Sequence, residues 1–344
     1  MAKSTTASIS KSHLIVELEN KVPHDEACEK LSQNCTELLL SLPRKKGWTN
    51  PDIYLYKGIW YGPARVKAVY SFQKHFQAKD NDIIIASAPK SGTTWLKALT
   101  FAIVNRSRFS PSQNNHPLLL SNAHDLVPFF EFDLYENSHI PDFSNCLEPR
   151  LFGTHVRFHS LPESITESKC KIIYICRNPF DNFISFWFFM NRVLPLPSLP
   201  KLSIEEAFER YSKGLTEFGP FWINILDYWR QSKETPNKVL FMKYEDLKGD
   251  TKLHLKRVAG FLNCPFNVEE EANGVIQNII DLCSFGKMKD LEVNKTGKYL
   301  QMSENKDFFR KGEVGDWVNH FSPWMEEKLS EVIEEKFGDS GLCF

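Results

Sequence analysis

The hydrophobic positions of this chain alternate between short β-branched runs and longer segments with helical spacing. Ile83, Ile84 and Ile85 form a run that is typical of a buried strand, and the apolar positions from Trp95 to Phe101 repeat at helical spacing. Between them lies SAPKSGTT, a segment of small and polar residues. The pattern therefore predicts a strand, a loop and a helix in this order.

The same order recurs along the chain. Further strands are predicted at RLFGTHV (150–156), CKIIYICR (170–177) and NKVLFMKYEDL (237–247), and helices at DEACEKLSQNCTELLLSL (25–42), PARVKAVYSFQKHF (63–76), NPFDNFISFWFFMNRV (178–193) and TKLHLKRVAGFL (251–262). Strands that alternate with helices indicate a parallel sheet that binds ligands at the carboxyl ends of its strands.

We therefore predict an α/β fold in which helices flank a central parallel sheet. No linker is long enough to split the chain, so we expect a mobile N-terminal segment and helix over residues 1–45 and a single domain over residues 46–344. The Pro-rich stretch VLPLPSLPKLS (193–203) is a candidate lid over the ligand site.

Composition narrows the range of partners. The 344 residues are 42% hydrophobic and 25% charged, and 42 Lys+Arg nearly balance 43 Asp+Glu, which argues against nucleic acid or an anionic membrane as a partner. The sequence shows neither a secretory leader nor an apolar run of ~18 residues that could span a membrane. Eight cysteines without C-x-x-C pairs favour free thiols in a reducing cytoplasm over disulfides or zinc.

The loop SAPKSGTT has the composition of an anion site. A phosphate cradle needs free backbone N–H groups at a helix N-terminus, a glycine where the chain approaches the anion, and a cation. Gly92, Thr93 and Thr94 supply the first two, and Lys90 supplies the cation. Because Lys90 precedes the glycine, the loop differs from that of the nucleotide triphosphatases, and Mg-ATP is not the expected ligand. A Ser/Thr-rich helix cap that binds no ligand is the alternative.

Two further basic segments are candidate anion contacts. Arg177 follows a predicted strand, so we expect it at the edge of the sheet where ligands bind, and its planar guanidinium suits phosphate. Arg310 and Lys311 precede a glycine whose backbone can wrap an anion. The alternatives are an ion pair of Arg177 with Asp181 and a solvated charged surface. Together with Lys90, these segments predict a ligand with more than one anionic group.

Several motifs occur in order across most of the chain: PKSGTTW (89–95), CRNPFDNFIS (176–185), FMKYEDL (241–247), LCSFGKM (282–288), LEVNKTG (291–297) and RKGEVGDW (310–317). With this set the chain closely resembles the cytosolic sulfotransferases, and its details resemble the plant branch. The resemblance implies a single α/β domain with a P-loop-like phosphosulfate-binding loop. It also implies transfer of a sulfonate group from 3′-phosphoadenosine 5′-phosphosulfate (PAPS) to a hydroxyl of a small molecule, with release of 3′,5′-bisphosphoadenosine (PAP) and without a metal.

The resemblance also assigns roles to individual residues. His155, matched to the family's histidine of a Thr-His pair, would be the general base, and Lys90 would stabilise the bridging oxygen as the S–O bond breaks. The implied donor contacts are Lys90, Ser91, Gly92, Thr93, Thr94 and Trp95 for the 5′-phosphosulfate, Arg177, Ser185, Arg310, Lys311 and Gly312 for the 3′-phosphate, and Tyr244, Ser284, Phe285 and Met288, with Trp95, for the adenine.

The sequence departs from the family pattern at three places. Animal members carry a lysine two positions before the base, where this chain has Gly153, so one cation is absent or replaced. The family's C-terminal dimer motif has no counterpart in VNHFSPWMEEK, which favours a monomer. Plant relatives usually have Pro where this chain has Arg157. Strand alternation predicts Arg157 on the side of the base, in reach of a carboxylate on the acceptor, and the alternative is an outward side chain paired with Glu163 or solvent.

Other functions and a range of acceptors remain open at this stage. One alternative is a nucleoside-type kinase, and another is a sulfotransferase-like protein that binds the nucleotide without catalysis. Aromatic residues within 54–61, 128–132 and 186–189 are candidates for the wall of an apolar acceptor pocket. The acceptor could be a flavonoid, brassinosteroid, hydroxyjasmonate, strigolactone precursor, phenol or desulfoglucosinolate.

Overall fold

The computed structural model describes residues 26–136, 140–193, 200–299 and 303–344. A first helix, α1 (Glu26–Ser41), leads into an antiparallel sheet of three short strands, β1 (Arg44–Lys46), β2 (Asp52–Tyr56) and β3 (Ile59–Tyr61). The helix was predicted from the sequence, whereas the strands of this sheet were not. Two of them have only three residues, which is too short to show a hydrophobic period.

A parallel sheet of four strands forms the centre of the molecule. From one edge to the other its strands are β5 (Leu151–Thr154), β4 (Ile83–Ser87), β6 (Lys171–Cys176) and β7 (Val239–Lys243). The isoleucine run of β4 lies between two neighbours, and all five residues of that strand are buried. A central strand covered on both faces explains why its sequence is continuously apolar rather than alternating.

Helices cover both faces of this sheet, as the alternating pattern predicted. In chain order they are α2 (Pro63–His75), α3 (Thr93–Asn105), α4 (Pro117–Leu120), α5 (Ala123–Leu126), α6 (Glu163–Glu167), α7 (Pro179–Met190), α8 (Ile204–Ser212), α9 (Phe221–Glu234), α10 (Tyr244–Gly249), α11 (Thr251–Phe261), α12 (Val268–Ala272), α13 (Val275–Leu282), α14 (Phe285–Asp290), α15 (Glu292–Thr296) and α16 (Pro323–Phe337). A two-stranded ribbon, β8 (Lys298–Tyr299) and β9 (Ser303–Glu304), lies near the C-terminus.

The pleat of β4 divides the core into two layers. Ile84 and Ala86 pack in the cluster that includes α2, α7 and α9, whereas Ile83 and Ile85 pack in the cluster that includes α3, α11 and α13. Successive side chains of a strand point to opposite faces, so one strand anchors both layers. The α/β fold with a central parallel sheet is therefore confirmed.

Two predictions concern residues outside the described ranges. The mobile start of the chain corresponds to residues 1–25, and most of the candidate lid corresponds to residues 194–199. Within the described ranges, no helix is long and apolar enough to cross a membrane.

A buried ion pair joins the amino ends of β4 and β5. Arg150 donates two hydrogen bonds to Asp82, at 2.7 Å from Nε and 2.5 Å from Nη2, and both side chains are almost fully buried. Asp82 also accepts a hydrogen bond from the backbone of Lys79 at 2.8 Å. This pair lies at the end of the sheet opposite to the carboxyl edge, so it bears on stability and not on the ligand site.

We expect Asp82→Ala to lower the free energy of unfolding by about 3–5 kcal/mol, because it leaves the Arg150 guanidinium buried without its partner. Glu148 forms a matched exposed pair with Lys79 at 2.5 Å, and Glu148→Ala should leave the free energy of unfolding almost unchanged. Denaturant unfolding monitored by circular dichroism measures both. Similar losses in the two variants would contradict the prediction.

Candidate active site

The loop between β4 and α3 folds back so that the first turn of α3 opens toward a cavity. Lys90 and Gly92 both have left-handed backbones, with φ of 64° and 102°. A Cβ on Gly92 would lie 2.6 Å from the ring of Tyr244. Both the positive φ and the close approach of this ring therefore require glycine at this position. The first turn of α3 thus opens on the cavity, as the predicted anion cradle requires.

A cavity of about 740 Å³ extends from this loop along the carboxyl edge of the sheet. Most of the predicted site residues line it, from six separate parts of the chain: Lys90, Gly92, Thr93, Thr94, Trp95, His155, Arg177, Ser185, Tyr244, Phe285, Met288, Arg310, Lys311 and Gly312. Ser91 and Ser284 lie outside the cavity wall. The Ser91 hydroxyl accepts a hydrogen bond from Asn182 at 3.1 Å, and that of Ser284 caps α14.

Lys90 lies between aromatic rings at the mouth of the cradle. Its ammonium nitrogen is 3.9 Å from the centre of the Phe189 ring and 5.5 Å from that of Phe308. Burial, reinforced by repulsion from Arg177, lowers the pKa of Lys90 to about 7. A buried cation beside other cations is stabilised by any anion that enters, because the anion supplies the charge that the surroundings lack.

Arg177, directly after β6, forms the ion pair predicted for it and also lines the cavity. Its Nη2 atom lies 3.7 Å from Asp181 and donates to the carbonyl of Glu313 at 2.5 Å. The guanidinium lies 4.7 Å above the Tyr244 ring. Its Nε atom is buried and has no hydrogen-bond acceptor among the described residues. A buried donor without an acceptor fits a site built for an anionic oxygen.

Arg310 and Lys311 share one buried carboxylate. Asp316 accepts hydrogen bonds from Arg310 at 2.5 Å and from Lys311 at 2.6 Å. Against the opposing effect of burial, these hydrogen bonds lower the pKa of Asp316. Gly312 follows with φ of 68°, and a Cβ there would lie 2.5 Å from Phe285. The arrangement brings two cations and a glycine turn to the cavity, and Arg310 Nε is a second buried donor without a partner in the described chain.

His155 emerges just after β5 and lies against the end of β4. Its Nδ1 atom is 2.8 Å from the carbonyl oxygen of Ser87, the last residue of β4. A carbonyl can only accept, so Nδ1 carries the hydrogen and Nε2 keeps a free lone pair. Burial, together with the nearby charges of Lys97 and Lys90, lowers the pKa of His155 to about 3, so the imidazole is neutral at neutral pH. This is the state that a proton acceptor needs.

Glu131 holds the backbone around His155. Its carboxylate accepts hydrogen bonds from the backbone N–H of His155 at 2.6 Å and from the hydroxyl of Thr154 at 3.0 Å. Burial raises the pKa of Glu131 to about 7. The residue lies in a π-helical turn, Phe130–Leu134, that sequence periodicity did not reveal.

Aromatic side chains form the cavity wall around His155. The rings of Phe129, Phe132 and Phe218 lie 4.7, 6.0 and 5.4 Å from the imidazole, centre to centre. Two of the three predicted aromatic segments, 128–132 and 186–189, contribute to the wall, but no residue of 54–61 does. That third segment instead forms β2 and β3, where its side chains pack into the hydrophobic core.

The contacts of Arg157 show that both positions predicted for its side chain were wrong. Its guanidinium binds Asp227, with Nη2 3.0 Å from the carboxylate, and donates to the carbonyl of Lys57 at 3.2 Å. It neither lines the cavity nor pairs with Glu163. The alternation argument failed because β5 ends at Thr154, so the backbone beyond it no longer places every second side chain on one side.

Two buried residues near the base were not predicted. His124, on α5, lines the cavity, and Lys97, on α3, is fully buried behind it. The ammonium of Lys97 lies beside Gly153, where a Cβ would be only 2.6 Å from Nζ, so the glycine leaves room for a lysine from another element. One signal was present in the sequence: Lys97 interrupts the apolar face of a helix that is otherwise buried.

Comparisons with known proteins agree with this geometry. Residues 80–341 match the family model of the sulfotransferase domain. The chain is 51% identical to cytosolic sulfotransferase 15 of Arabidopsis thaliana over 325 residues, which cover 94% of this chain and 90% of that protein. A crystal structure of an Arabidopsis thaliana sulphotransferase, 43% identical, superposes with a TM-score of 0.73 over 92% of this chain and 97% of the other.

A mouse sulfotransferase solved in complex with PAP is 26% identical and superposes with a TM-score of 0.63 over 84% of this chain and 95% of that one. The relatives are therefore matched over nearly their whole length, and the family model spans the loop after β4, His155 and the segment around Arg310. On this evidence the chain belongs to the sulfotransferase family.

Proposed function

We propose that this protein transfers a sulfonate group from PAPS to a hydroxyl of a small-molecule acceptor, with His155 as the general base. One observation carries the proposal: the hydrogen bond from His155 Nδ1 to the Ser87 carbonyl leaves an unprotonated Nε2 at the cavity, next to the anion cradle. Sulfonate transfer to a hydroxyl needs a base that accepts the hydroxyl proton and a cation that stabilises the charge on the leaving oxygen.

The donor supplies an activated sulfonate, and the residues of the loop after β4 would hold it. The backbone N–H groups at the start of α3 face the cavity together with Thr93 and Thr94. Lys90 would stabilise the negative charge that develops on the bridging oxygen. Burial disfavours the ammonium form of Lys90, so in the free protein this side chain is only partly charged at neutral pH. Contact with the anionic donor would restore the charge.

The 3′-phosphate of the donor would bind where Arg177, Arg310 and Lys311 meet the cavity. Arg177 and Arg310 each keep a buried Nε without an acceptor among the described residues, which fits a phosphate better than an apolar group. The adenine would lie between Trp95, Tyr244 and Phe285, since these rings line the same part of the chain's cavity. PAP bound to the mouse relative supports this choice of nucleotide.

The acceptor would lie against His155 in the aromatic part of the cavity. Phe129, Phe132 and Phe218 favour a flat, largely apolar molecule with a hydroxyl that can reach Nε2. Arg157 is occupied by Asp227, so the geometry gives no reason to expect an acceptor carboxylate at that position. We therefore propose an apolar hydroxyl compound in place of the hydroxy acid considered above.

The remaining expectations stay part of this proposal. The relatives are named cytosolic sulfotransferases, which supports a cytoplasmic protein. We keep a single catalytic domain over residues 46–344 and a monomer, since the sequence lacks the family's C-terminal dimer motif. No metal is required, because the two cationic ends of the site are built from side chains.

The base assignment predicts a separation of binding from chemistry. His155→Ala should bind PAP with nearly normal affinity while turnover falls roughly 10²-fold or more, the usual scale for a general base. Lys90→Ala should weaken both. Calorimetry with PAP and mass-spectrometric detection of sulfonated phenols, flavonoids and hydroxysteroids in the presence of PAPS measure the two quantities.

His159 is a suitable control, since its side chain is 60% exposed and outside the cavity, so His159→Ala should be silent in both assays. Near-normal turnover of His155→Ala would contradict its role as base. Wild-type protein that binds PAP but sulfonates no acceptor in the panel would favour the idle, nucleotide-binding alternative.

The donor's 3′-phosphate should be essential for tight binding. Without it, Arg177 and Arg310 face a desolvated site, and each lost charge-assisted hydrogen bond costs about 1.5–3 kcal/mol. Calorimetry should therefore show much weaker binding of adenosine 5′-phosphosulfate than of PAPS. Arg310→Met should narrow that difference. Equal binding of both nucleotides to the wild type would refute the proposed 3′-phosphate site.

PAP binding should take up protons at alkaline pH. The pKa of Lys90 is about 7 in the free protein, so the residue is mostly neutral at pH 8. An anion beside it favours the ammonium and raises that pKa, so binding absorbs a proton and affinity falls as the pH rises from 7 to 9. Calorimetry at pH 8 in buffers of different ionisation enthalpy measures the uptake, which should be clearly smaller in Lys90→Met. Zero uptake by the wild type would show that Lys90 is already charged.

A further inference from the structure

Lys97 is a fully buried lysine that the proposed mechanism does not use. It lies one turn into α3, with its side chain directed at Gly153 of β5. Its Nζ atom is 3.1 Å from the centre of the Phe129 ring, which favours a cation there. A buried lysine is retained at a free-energy cost, so its polar contacts are informative.

Those contacts lead back to the anion cradle. Lys97 Nζ lies 3.1 Å from Nδ1 of His124, and Nε2 of His124 lies 2.9 Å from the hydroxyl of Thr94. Thr94 is in the first turn of α3 and lines the cavity. Lysine, imidazole and threonine thus form one unbroken row of hydrogen bonds from the core of the protein to the cradle.

The imidazole in the middle of this row is fixed in place and neutral. Its ring lies 5.2 Å from Phe129, 5.0 Å from Tyr299 and 4.5 Å from Phe308, centre to centre. Burial, with repulsion from Lys97, lowers the pKa of His124 well below its ordinary value. A neutral imidazole carries one N–H, so one ring nitrogen donates and the other accepts.

The state of Lys97 decides which nitrogen that is. An ammonium has three hydrogens and no lone pair, so it must donate to Nδ1, and the His124 proton must then be on Nε2. Nε2–H donates to the oxygen of Thr94, which frees the threonine's own hydrogen for another acceptor. If Lys97 is a neutral amine, the donors and acceptors along the row can exchange roles, and the Thr94 hydroxyl then donates its hydrogen to His124.

We propose that Lys97 is a positioning residue which, through His124, aims the hydroxyl hydrogen of Thr94 at the phosphosulfate end of the donor. The proposal rests on the proposed function, because it takes PAPS and PAP as the ligands of the cradle. It makes Thr94 a hydrogen-bond donor of fixed direction, where an unassisted threonine hydroxyl could rotate to either role.

The charges that face the row favour this direction. Asp133, Glu131 and Asp125 raise the pKa of Lys97 and so partly oppose burial, which alone would neutralise the amine. The net pKa of Lys97 is about 7, so a bound anion has to raise this pKa only slightly to keep the side chain charged. His155 and Lys90 are the other titratable groups that act on His124, and both disfavour the imidazolium.

A double-mutant cycle on PAP affinity tests the proposal. Lys97→Met keeps the length of the side chain and removes its hydrogen bond, and Thr94→Val keeps the shape of threonine and removes its hydroxyl. Each single variant should weaken PAP binding about tenfold in calorimetry. If Lys97 acts through the Thr94 hydroxyl, the PAP affinity of the double variant should lie within about twofold of that of Thr94→Val. If the two residues act independently, the affinity should instead fall about a hundredfold below that of the wild type.

Gly153→Ala offers a second route to the same result. Its Cβ would lie 2.4 Å from Cε of Lys97, so the lysine must move although it is still present. PAP binding should again fall about tenfold, and the loss should again vanish in the Thr94→Val background. A multiplicative effect in both cycles would overturn the role of Lys97.

A spectroscopic readout is made on the wild-type protein, and a variant serves only to assign the signal. In ¹⁵N-histidine-labelled wild-type protein with PAP at pH 6.5, Nδ1 of His124 should be unprotonated and Nε2 protonated, with the signal assigned by its loss in His124→Gln. The opposite tautomer would overturn the proposal even if the affinities agree. If wild-type protein does not bind PAP at all, the proposed function fails instead, and this inference falls with it.

Discussion

The structure depends most on one contact at the carboxyl end of β4, the hydrogen bond from His155 to the carbonyl of Ser87. It joins the strand that feeds the anion loop to the residue that follows the neighbouring strand. Parallel pairing fixes this meeting, since Ala86 is in register with Thr154. Sheet register therefore brings His155, the proposed base, beside the start of the loop that follows β4.

The same contact determines the chemistry of the imidazole. A backbone carbonyl cannot donate, so it allows only one tautomer, and burial between aromatic rings keeps that tautomer neutral. Glu131 holds the backbone of His155 from the other side. A ring with a fixed proton and a fixed orientation needs no reorganisation before it accepts a proton from a hydroxyl.

Local patterns in the sequence were sufficient for the four strands of the central sheet and for helices α1, α2, α3, α7 and α11, whereas α8, α9, α13 and α16 were not predicted. The isoleucine run before Lys90, with Gly92 at the turn, defines strand, loop and helix within about twenty residues. His155 was proposed as the base only through the resemblance to the sulfotransferases, which matches it to a Thr-His pair at a strand end. These features are local, because hydrogen bonding and hydrophobic periodicity act between neighbours in the chain.

The side-chain contacts that sequence reasoning missed join distant parts of the chain. Arg157 pairs with a carboxylate 70 residues away, and the row from Lys97 through His124 joins two helices separated by a long connection. No spacing rule predicts such partners. A charged residue on the apolar face of α3 showed that something was unusual at Lys97, but only the fold revealed Gly153 beside it.

Asp316 reduces the free energy that an anion can gain by binding where Arg310 and Lys311 meet the cavity. It already accepts hydrogen bonds from Arg310 Nη1 and from Lys311, so an incoming group that binds these atoms has to exchange with a carboxylate that the protein provides. Exchange gives a singly charged ion almost nothing, since it replaces one negative charge with another. Only a group of higher charge, or one tied to a second anchor elsewhere in the cavity, gains from it. In the proposed function, the internal carboxylate would therefore weaken the binding of small, singly charged anions at this end of the cavity.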